Sequence, residues 1–396
     1  MPLNKPGAKK KPMLQLAMPS DDEDEVTDGV GELPGGERAA VKRQGSFQLS
    51  STMTFEAGDV KLRGGRGMEL SDGGATSSVT LEDLDRLQQL GAGATSRVFL
   101  AQHRSTGERY ALKELTVMAD NDLRHMAVNE LRLAHKASQG DHLIKFIDAF
   151  FNEGKICICM EFADAGSLDD VIQRGTPRPG GAGPPARGVP EPMVGVMMLQ
   201  ALQGLLYLHR EMKQMHRDLK PANVMLTKGG TVKLSDFGIS KQLESTDSLA
   251  VTQCGTTQYM SPERLLGKPY SFASDVWSTG VMILEALHGQ MPYPNARSFI
   301  AQVQMICSGD APACPDGTSD ELCALCALCL RKETDGAAPR PNVPQLFRNA
   351  WVQSYAEDGS DEERCARIAA FVRLQLGEAR GDDLELLAGS LGDLSM

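Results

Sequence analysis

The fold is decided by the stretch HRDLKPAN at residues 216–223, followed thirteen residues after Asn223 by DFG at residues 236–238. Upstream of this stretch, from Leu81 onward, short apolar runs broken by Gly-containing turns predict strands. Downstream of Ser167 the apolar residues recur mainly at the spacing of helices. A strand-rich part followed by a larger helix-rich part predicts two unequal lobes of the α+β class.

Periodicity predicts the order of the elements in both parts. The predicted strands are Leu87–Leu90, Arg97–Ala101, Tyr110–Leu115, Phe146–Phe151 and Ile156–Phe162. One helix, Leu123–Ala137, interrupts them, and a strongly apolar helix follows over Val194–Leu208. Residues 175–190 hold ten Gly or Pro among sixteen, which predicts a surface insertion; a binding segment for a partner of its prolines is the alternative.

A glycine-containing loop, LGAGATSRV at residues 90–98, lies between two predicted strands. Alone it is weak evidence, because paired glycines are common in hairpin turns. Lys113 follows on the next-but-one strand, where an exposed strand lysine is the simpler interpretation, and Glu130 follows on the predicted helix. The glycine-containing loop, Lys113 and Glu130 precede HRDLKPAN and DFG in a fixed order, so we interpret the five features together as one pattern.

In this order, the motifs resemble the signature of the eukaryotic protein kinases over about residues 87–351. The resemblance implies a bilobal protein kinase fold of the α+β class. It places a kinase domain at residues 81–351, with a β-rich N-lobe (81–160) that carries one helix and a mainly helical C-lobe (161–351).

The resemblance also implies roles for single residues in the transfer of the γ-phosphate of ATP, a reaction that needs positioning and charge neutralisation more than covalent chemistry. Asp218 would accept or orient the proton of the attacking hydroxyl group. Lys220, typical of serine/threonine-type catalytic loops, would meet the γ-phosphate. Lys113, oriented by Glu130, would hold the α- and β-phosphates.

ATP and Mg²⁺ are the implied cofactors. Asn223 and Asp236 would bind Mg²⁺, a hard cation that prefers oxygen ligands. Ser96 stands where the family usually has a third glycine, a position that tolerates small residues. The residues implied around the nucleotide are Leu90, Gly91, Ala92, Gly93, Ala94, Thr95, Ser96, Val98, Ala111, Lys113, Met160, Glu161, Ala163 and Met225.

Two further matches concern the architecture of the C-lobe. The resemblance implies that Glu263 pairs with Arg340, and that the helix containing DVWSTG at residues 275–280 anchors the catalytic loop. We expect these residues to be structural and assign them no catalytic role.

The stretch GTTQYMSPERL at residues 255–265 is similar to the MAP kinase kinases within the kinase family. This resemblance implies transfer of phosphate to Thr and Tyr in the activation loop of a MAP kinase. Ser248 and Thr252 have the spacing at which these kinases are themselves activated, by an upstream MAP kinase kinase kinase. The alternative is that Ser and Thr are simply common in loops.

A basic cluster near the N-terminus, KKKPMLQL at residues 9–16, resembles a MAP kinase docking motif. Lysines would meet an acidic patch on the MAP kinase while two leucines enter apolar pockets. A solvated basic terminus with incidental leucines is the alternative. The implied docking residues are Lys9, Lys10, Lys11, Leu14 and Leu16.

The net charge of −11 is unevenly distributed. Residues 1–20 carry +4, Asp21–Glu25 carry −5 and residues 357–396 carry −6. Residues 1–80 combine many Gly and Ser with few large apolar residues, so we expect a mostly disordered regulatory and docking segment.

Residues 352–396 form an acidic C-terminal extension that contains a predicted helix, DEERCARIAAFVRLQL, at residues 361–376. Its apolar face predicts packing against the C-lobe, and docking of the upstream kinase is the alternative.

The run CALCALC at residues 323–329 resembles an iron–sulfur motif, but without a fourth cysteine it is better interpreted as a helix with buried thiols. The leucines at positions 81, 84, 87 and 90 are interpreted as core residues rather than as an export signal.

Composition narrows the classes of partner and compartment. The net charge of −11 argues against non-specific binding of nucleic acid or of an anionic membrane. No run of 18 or more apolar residues exists, which argues against a membrane span, and the N-terminus lacks the features of a secretory signal. Nine cysteines, an odd number, favour a reducing compartment. We therefore expect a cytoplasmic protein and leave the nucleus open as a second location.

Two other functions are compatible with parts of the sequence. A serine/threonine kinase from another tier of the same cascade would share the catalytic motifs. A scaffold pseudokinase would explain the docking segment, but such proteins normally lack a catalytic element, and none of the five discussed above is missing here.

Overall fold

The structure is a computed structural model. It describes residues 48–49, 55–57, 60–63, 67–70, 79–93, 96–116, 121–176, 188–237, 256–293, 298–332 and 339–391. The strands are β1 (Gln48–Leu49), β2 (Phe55–Ala57), β3 (Val60–Arg63), β4 (Gly67–Leu70), β5 (Leu84–Ala92), β6 (Ser96–His103), β7 (Arg109–Thr116), β8 (Phe146–Asn152), β9 (Lys155–Glu161), β10 (Gly166–Ser167), β11 (Val224–Leu226) and β12 (Val232–Leu234). The helices are α1 (Asn121–Ala137), α2 (Leu168–Arg174), α3 (Glu191–Arg210), α4 (Pro262–Leu265), α5 (Ala273–His288), α6 (Phe299–Ser308), α7 (Asp320–Cys329), α8 (Val343–Leu346), α9 (Ala350–Glu357), α10 (Asp361–Leu376) and α11 (Gly381–Leu391).

The N-lobe is built on one antiparallel sheet with strand order β5-β6-β7-β9-β8. Apolar side chains alternate along β7 and β9 so that Leu112, Cys157 and Cys159 are buried on one face. Helix α1 packs against β8, and its buried residues Val128 and Leu131 belong to the apolar cluster on the other face. The sheet and the single helix predicted between its strands are confirmed.

The C-lobe is helical and contains the larger core. Helix α3 is apolar on nearly all sides, which is typical of a helix at the centre of a lobe, and α5 lies beside it with Trp277 fully buried. A small antiparallel sheet, β10-β11-β12, belongs to this lobe, and Val224, Leu226, Val232 and Leu234 of β11 and β12 are buried in its core. The predicted α+β architecture with two unequal lobes is confirmed.

Residues 48–70 depart from the expectation that residues 1–80 are mostly disordered. Strands β1 to β4 form a four-stranded antiparallel meander, and Val60, Leu62 and Met68 are buried. The prediction is wrong for these strands because three well-placed apolar side chains find a partner surface on β8. Residues 1–47 and 71–78 lie outside the described ranges.

The predicted helix of the C-terminal extension is confirmed as α10, and it packs on the C-lobe. Ile368, Phe371 and Val372 are fully buried in the C-lobe core, next to α3. Helix α10 begins with Ser360 and Glu363 in a reciprocal capping arrangement. Gly230, between β11 and β12, shows how close the contact is, because an added Cβ would lie 1.8 Å from the carbonyl oxygen of Cys365.

The remaining structural expectations can be compared with the described residues. Helix α7 contains the cysteine run, and Cys326 and Cys329 are buried. Within the described ranges, no group of three or more His, Cys, Asp or Glu side chains could hold a metal ion. Of the four leucines, Leu84 is buried, whereas Leu87 and Leu90 are exposed, so core packing does not explain the latter two. No helix in the described part of the chain is long and apolar enough to cross a membrane.

Candidate active site

The ammonium group of Lys113 lies between two carboxylates that come from different elements. Its Nζ is 2.6 Å from Oε1 of Glu130 on α1 and 2.8 Å from Oδ1 of Asp236, which follows β12. Lys113 stands on β7 opposite Val98 of β6, so the sheet register fixes its position beside the last residue of the glycine-containing loop. The structure therefore brings together three of the predicted site residues that are 17 and 106 positions apart along the chain.

The charges of this cluster stabilise one another. Burial alone would lower the pKa of Lys113, but the carboxylates of Asp236 and Glu130 outweigh burial and hold that pKa above its ordinary value. In turn, Lys113 holds the pKa of Asp236, whose side chain is 46% exposed, below its usual range. Lys113 is therefore a fixed cation and Asp236 a fixed anion near neutral pH.

The catalytic loop brings Asp218, Lys220 and Asn223 into contact. The Nζ of Lys220 donates to Oδ2 of Asp218 at 3.0 Å. The amide nitrogen of Asn223 donates to the main-chain oxygen of Asp218 at 2.7 Å and to its Oδ2 at 3.2 Å. These contacts hold the Asp218 carboxylate in one orientation.

A buried carboxylate on α5 holds the beginning of this loop. Oδ2 and Oδ1 of Asp275 accept hydrogen bonds from the backbone N–H groups of His216 and Arg217, at 2.8 and 2.9 Å. Nε2 of His209, on α3, lies 2.8 Å from Oδ2 of the same carboxylate. Burial would raise the pKa of Asp275, but its hydrogen bond with His209 and the nearby imidazoles lower it overall. The expected anchor of the catalytic loop is thus Asp275.

Two site residues have left-handed backbone conformations that non-glycine residues adopt rarely. The φ angle is 68° at Arg217 and 51° at Asp236. Such conformations cost about 1–3 kcal/mol each and persist only where the surroundings enforce them. At Arg217 the enforcing contacts are the bond to Asp275 and a hydrogen bond from Arg264 to the Arg217 carbonyl oxygen at 2.6 Å.

Most of the predicted nucleotide-binding residues lie on or beside the strands β5, β6, β7 and β9 of the N-lobe sheet. Leu90 is 45% exposed at the end of β5, and Ala111 pairs with Met160 in the sheet register. An added Cβ at Gly91 would meet no atom within 4 Å, so the space above this position is open. The N–H of Gly93 donates to the carbonyl oxygen of Ser96 at 2.8 Å and closes the loop.

The segment joining the two lobes follows Met160. The carboxylate of Glu161 is 2.9 Å from Nζ of Lys233, so this side chain contacts the C-lobe. Ala163 is buried, and Met225, on β11, is half-buried. Ala94 and Thr95, at the tip of the glycine-containing loop, are outside the described ranges.

The chemistry of the donor set fits Mg²⁺. The amide nitrogen of Asn223 is used in hydrogen bonds to Asp218, which leaves its amide oxygen as the group that can bind a cation. Asp236 offers a carboxylate, and a cation bound by one or two such oxygens takes its other ligands from water and phosphate. Asn223 and Asp236 would hold the ion.

The expected structural pair of the C-lobe is also present. Nη1 of Arg340 is 2.9 Å from Oε1 of Glu263, and Nη2 is 3.3 Å from Oε2. The guanidinium also lies over the ring of Trp277, 5.2 Å from its centroid. The pair fixes the end of the segment that carries Ser248 and Thr252, which are themselves outside the described ranges.

Several predicted residues could not be compared, and other residues were missed. The docking residues Lys9, Lys10, Lys11, Leu14 and Leu16 lie outside the described part of the chain. Sequence reasoning missed two contacts between distant positions: His209 contacts Asp275, 66 positions away, and Lys233 contacts Glu161, 72 positions away. It also missed the contact between β4 and Asp148, for which the only signal was the alternation of VKLR and GMEL between glycine-rich turns.

Comparison with known proteins gives the same family from sequence alone. A model of the protein kinase domain family matches residues 84–352. The chain is 33% identical over 292 residues to mitogen-activated protein kinase kinase 2 of Arabidopsis thaliana, covering 72% of this chain and 76% of that protein. It is 32% identical over 345 residues to mitogen-activated protein kinase kinase 1c of Physcomitrium patens, covering 82% and 96%. Dual specificity mitogen-activated protein kinase kinase 1 of Dictyostelium discoideum is 42% identical over 216 residues, covering 54% of this chain but only 31% of that protein.

Proposed function

The chain belongs to the MAP kinase kinases of the protein kinase family, and we propose that it phosphorylates both Thr and Tyr in the activation loop of a MAP kinase. It is an ATP-dependent protein kinase. The observation that carries the proposal is the complete set of charged groups, with Lys113 held by Glu130 and Asp236 and with Asp218 held by the catalytic loop. A scaffold that has lost catalysis would not need this set.

In the proposed mechanism, the residues of the chain act by holding charges and protons in place. Lys113 binds the α- and β-phosphates of ATP, and Glu130 orients it. Asp218 orients the hydroxyl group of the substrate and receives its proton, while Lys220, whose Nζ is 3.0 Å from Asp218, neutralises charge on the transferred phosphate. When bound by Asn223 and Asp236, Mg²⁺ supplies charge neutralisation at the phosphates.

The experiment that tests dual specificity uses the purified, activated protein and a MAP kinase with an intact Thr-x-Tyr loop. Phosphate on both Thr and Tyr, read by mass spectrometry, is the expected result. Phosphate on serine or threonine alone would support a kinase of another tier, and no transfer would support a scaffold. An Asp218→Asn protein is the matched control, since it keeps the volume of the side chain but cannot receive a proton.

We propose that phosphorylation of Ser248 and Thr252 switches the enzyme on. Each phosphate adds about −1.5 to −2 charge and strong acceptor oxygens. Arg217, beside Asp218, supports this proposal, because a guanidinium group pairs strongly with phosphate oxygens. Replacing both Ser248 and Thr252 by Asp or Glu should raise basal activity, and replacing both by Ala should abolish activation. If an upstream MAP kinase kinase kinase still activates the protein with both alanines, the proposed switch is refuted.

We also propose that residues 9–16 dock the downstream MAP kinase. Deleting residues 1–20 should raise the KM for the MAP kinase and leave the KM for a short generic peptide unchanged. A form in which Leu14 and Leu16 are replaced by Ala is the finer variant, since it keeps the basic charge. An equal loss on both substrates would contradict the docking role.

We propose the cytoplasm as the compartment of this activity, with the nucleus as a second location. The odd number of cysteines in the sequence, nine, supports a reducing compartment.

A further inference from the structure

The meander β1–β4 has no part in the proposed chemistry, yet two of its strands are buried against the N-lobe. Val60, Leu62 and Met68 are at most 2% exposed. Strands β3 and β4 pack on β8, the edge strand of the N-lobe sheet. Their three side chains belong to one apolar cluster with Leu115, Val128, Leu131, Phe146, Ala149, Phe151, Ile156 and Ile158.

One buried carboxylate fixes the meander on β8. The backbone N–H of Met68 donates to Oδ1 of Asp148 at 2.8 Å, and Asp148 is 1% exposed. The preceding residue, Gly67, has a φ angle of +99°, and an added Cβ would lie 2.7 Å from Oδ2 of the same carboxylate. Only glycine permits both the backbone conformation and the close approach, so this contact sets the position of β4 on the sheet.

The same apolar cluster supports helix α1. Val128 and Leu131 are three positions apart on this helix, so they share the face that is buried in the cluster. Glu130 lies between them in sequence and reaches Lys113 at 2.6 Å. A rotation or shift of α1 on the cluster would therefore change the position of the Glu130 carboxylate relative to Lys113.

We propose that the meander β1–β4 is a positioning element for phosphoryl transfer. Leu62 and Met68 fill the cluster on which α1 rests, and so keep Glu130 within hydrogen-bond distance of Lys113. Protein cores are close-packed, so a gap left in this cluster is transmitted to the elements around it. The inference rests on the role proposed above for Lys113 and Glu130.

A double-mutant cycle in the full chain tests the inference. Leu62→Ala and Glu130→Gln are made singly and together, and kcat is measured as the release of ADP from ATP. We expect Leu62→Ala alone to lower kcat by about fivefold or more, and by less than about twofold when Glu130→Gln is already present. Lys61→Ala is the matched control on the same strand, because the Lys61 side chain lies on the opposite face, and it should change kcat by less than about twofold.

Two further measurements separate positioning from loss of the fold. Thermal unfolding is measured for every variant, and Leu62→Val, which removes a single methylene group, replaces Leu62→Ala if the latter does not fold. Amide hydrogen exchange should become faster in α1 and stay unchanged in α3 of the C-lobe. Unaltered exchange in α1 of a folded Leu62 variant would overturn the inference.

The cycle also distinguishes failure of the inference from failure of the proposed function. If Glu130→Gln does not lower kcat, the role of the ion pair is refuted and the inference fails with it. If Glu130→Gln lowers kcat but the effect of Leu62→Ala is fully additive, the ion pair stands and only the inference is refuted.

Discussion

At the scale of single residues, buried carboxylates determine the geometry of this kinase. Asp275 is fully buried and binds two successive backbone N–H groups of the catalytic loop, so its loss would release the loop from α5. Glu263 is buried with Arg340, so its loss would leave a guanidinium without its counter-ion. These two carboxylates do not touch the reacting groups, yet one positions the loop and the other stabilises the lobe.

Replacing Asp275 by Asn should lower kcat by about 10²-fold, since small displacements of catalytic groups cost this much. An amide has one acceptor oxygen where the carboxylate has two, so either His216 or Arg217 would lose its backbone hydrogen bond. Steady-state kinetics with ATP and a MAP kinase gives the measurement. Asp316→Asn, at an exposed position of the C-lobe, is the control. A kcat equal to that of the control would show that the loop keeps its position without this anchor.

Replacing Arg340 by Ala should lower the free energy of unfolding by about 3–5 kcal/mol, because it leaves the Glu263 carboxylate buried without its partner. Denaturant titration of the full chain measures the change in the free energy of unfolding. Lys228→Ala provides the comparison, since it breaks a pair with Glu378 whose side chains are 43% and 49% exposed and should cost less than about 1 kcal/mol. Similar losses for both variants would contradict the assigned difference in burial.

At the scale of elements, helices and long strands follow from periodicity, whereas the short strands do not. The apolar spacing in Val194–Leu208 predicts a helix, and α3 contains it with a few more residues at each end. Strands of two to four residues, such as β1 to β4, are too short for a periodic pattern to stand out. Their contacts with β8 include the hydrogen bond from Met68 to Asp148, which lies 80 positions away, and sequence spacing alone cannot place such a contact.

Helix α5 also carries a carboxyl group that should make stability depend on pH. Burial raises the pKa of Glu285 to about 7 from an ordinary value of 4.5, although a hydrogen bond from Tyr259, 2.7 Å away, opposes part of this effect. Between these two pH values the folded state binds a proton that the unfolded chain has released. The free energy of unfolding should therefore fall by about 3 kcal/mol as pH rises from 4.5 to 7 through this group alone.

Glu285→Gln should remove that part of the pH dependence, as measured by denaturant titration at several pH values. Tyr259→Phe should extend the fall to higher pH, because it removes the hydrogen bond that favours the ionised carboxylate. Glu211→Gln, at an exposed position after α3, is the control. An unchanged pH profile in the Glu285→Gln protein would mean that the carboxyl group is ionised in the folded state throughout this range.

At the scale of the whole molecule, the folded unit is larger than the part that matches the family. The match covers residues 84–352, but the meander β1–β4 lies before it and α10 and α11 lie after it. The sequence offers candidate active-site residues because the chemistry of phosphate transfer restricts residue type at fixed spacing, and the structure brings three of them, Lys113, Glu130 and Asp236, together. The flanking elements are only partly predictable. The apolar face of residues 361–376 predicts α10 and its packing on the C-lobe, whereas the strands β1 to β4 are placed by side chains from distant parts of the chain.

Ending the chain at Asp358 should prevent stable folding of the C-lobe. Ile368, Phe371 and Val372 would be lost from the core, and each buried side chain of this size contributes about 1.5–3 kcal/mol. Their sum is comparable to the total stability of about 5–15 kcal/mol that is usual for a domain. Ending the chain at Gly377 removes α11 alone and should lower the melting temperature to a smaller extent. Equal melting temperatures for the full chain and the form ending at Asp358 would contradict the assigned packing of α10.

The contact between β4 and Asp148 has a consequence for how the catalytic domain is delimited. A fragment that begins at residue 81, shortly before β5, would retain every residue proposed to bind ATP or transfer phosphate. It would also expose the apolar side of β8 and take the Met68 donor away from the Asp148 carboxylate. A fragment intended to behave like the full chain should therefore begin before Val60, the first residue of β3. Kinetic constants measured with fragments that begin before and after the strands β3 and β4 would then differ, although both fragments contain the same proposed active-site residues.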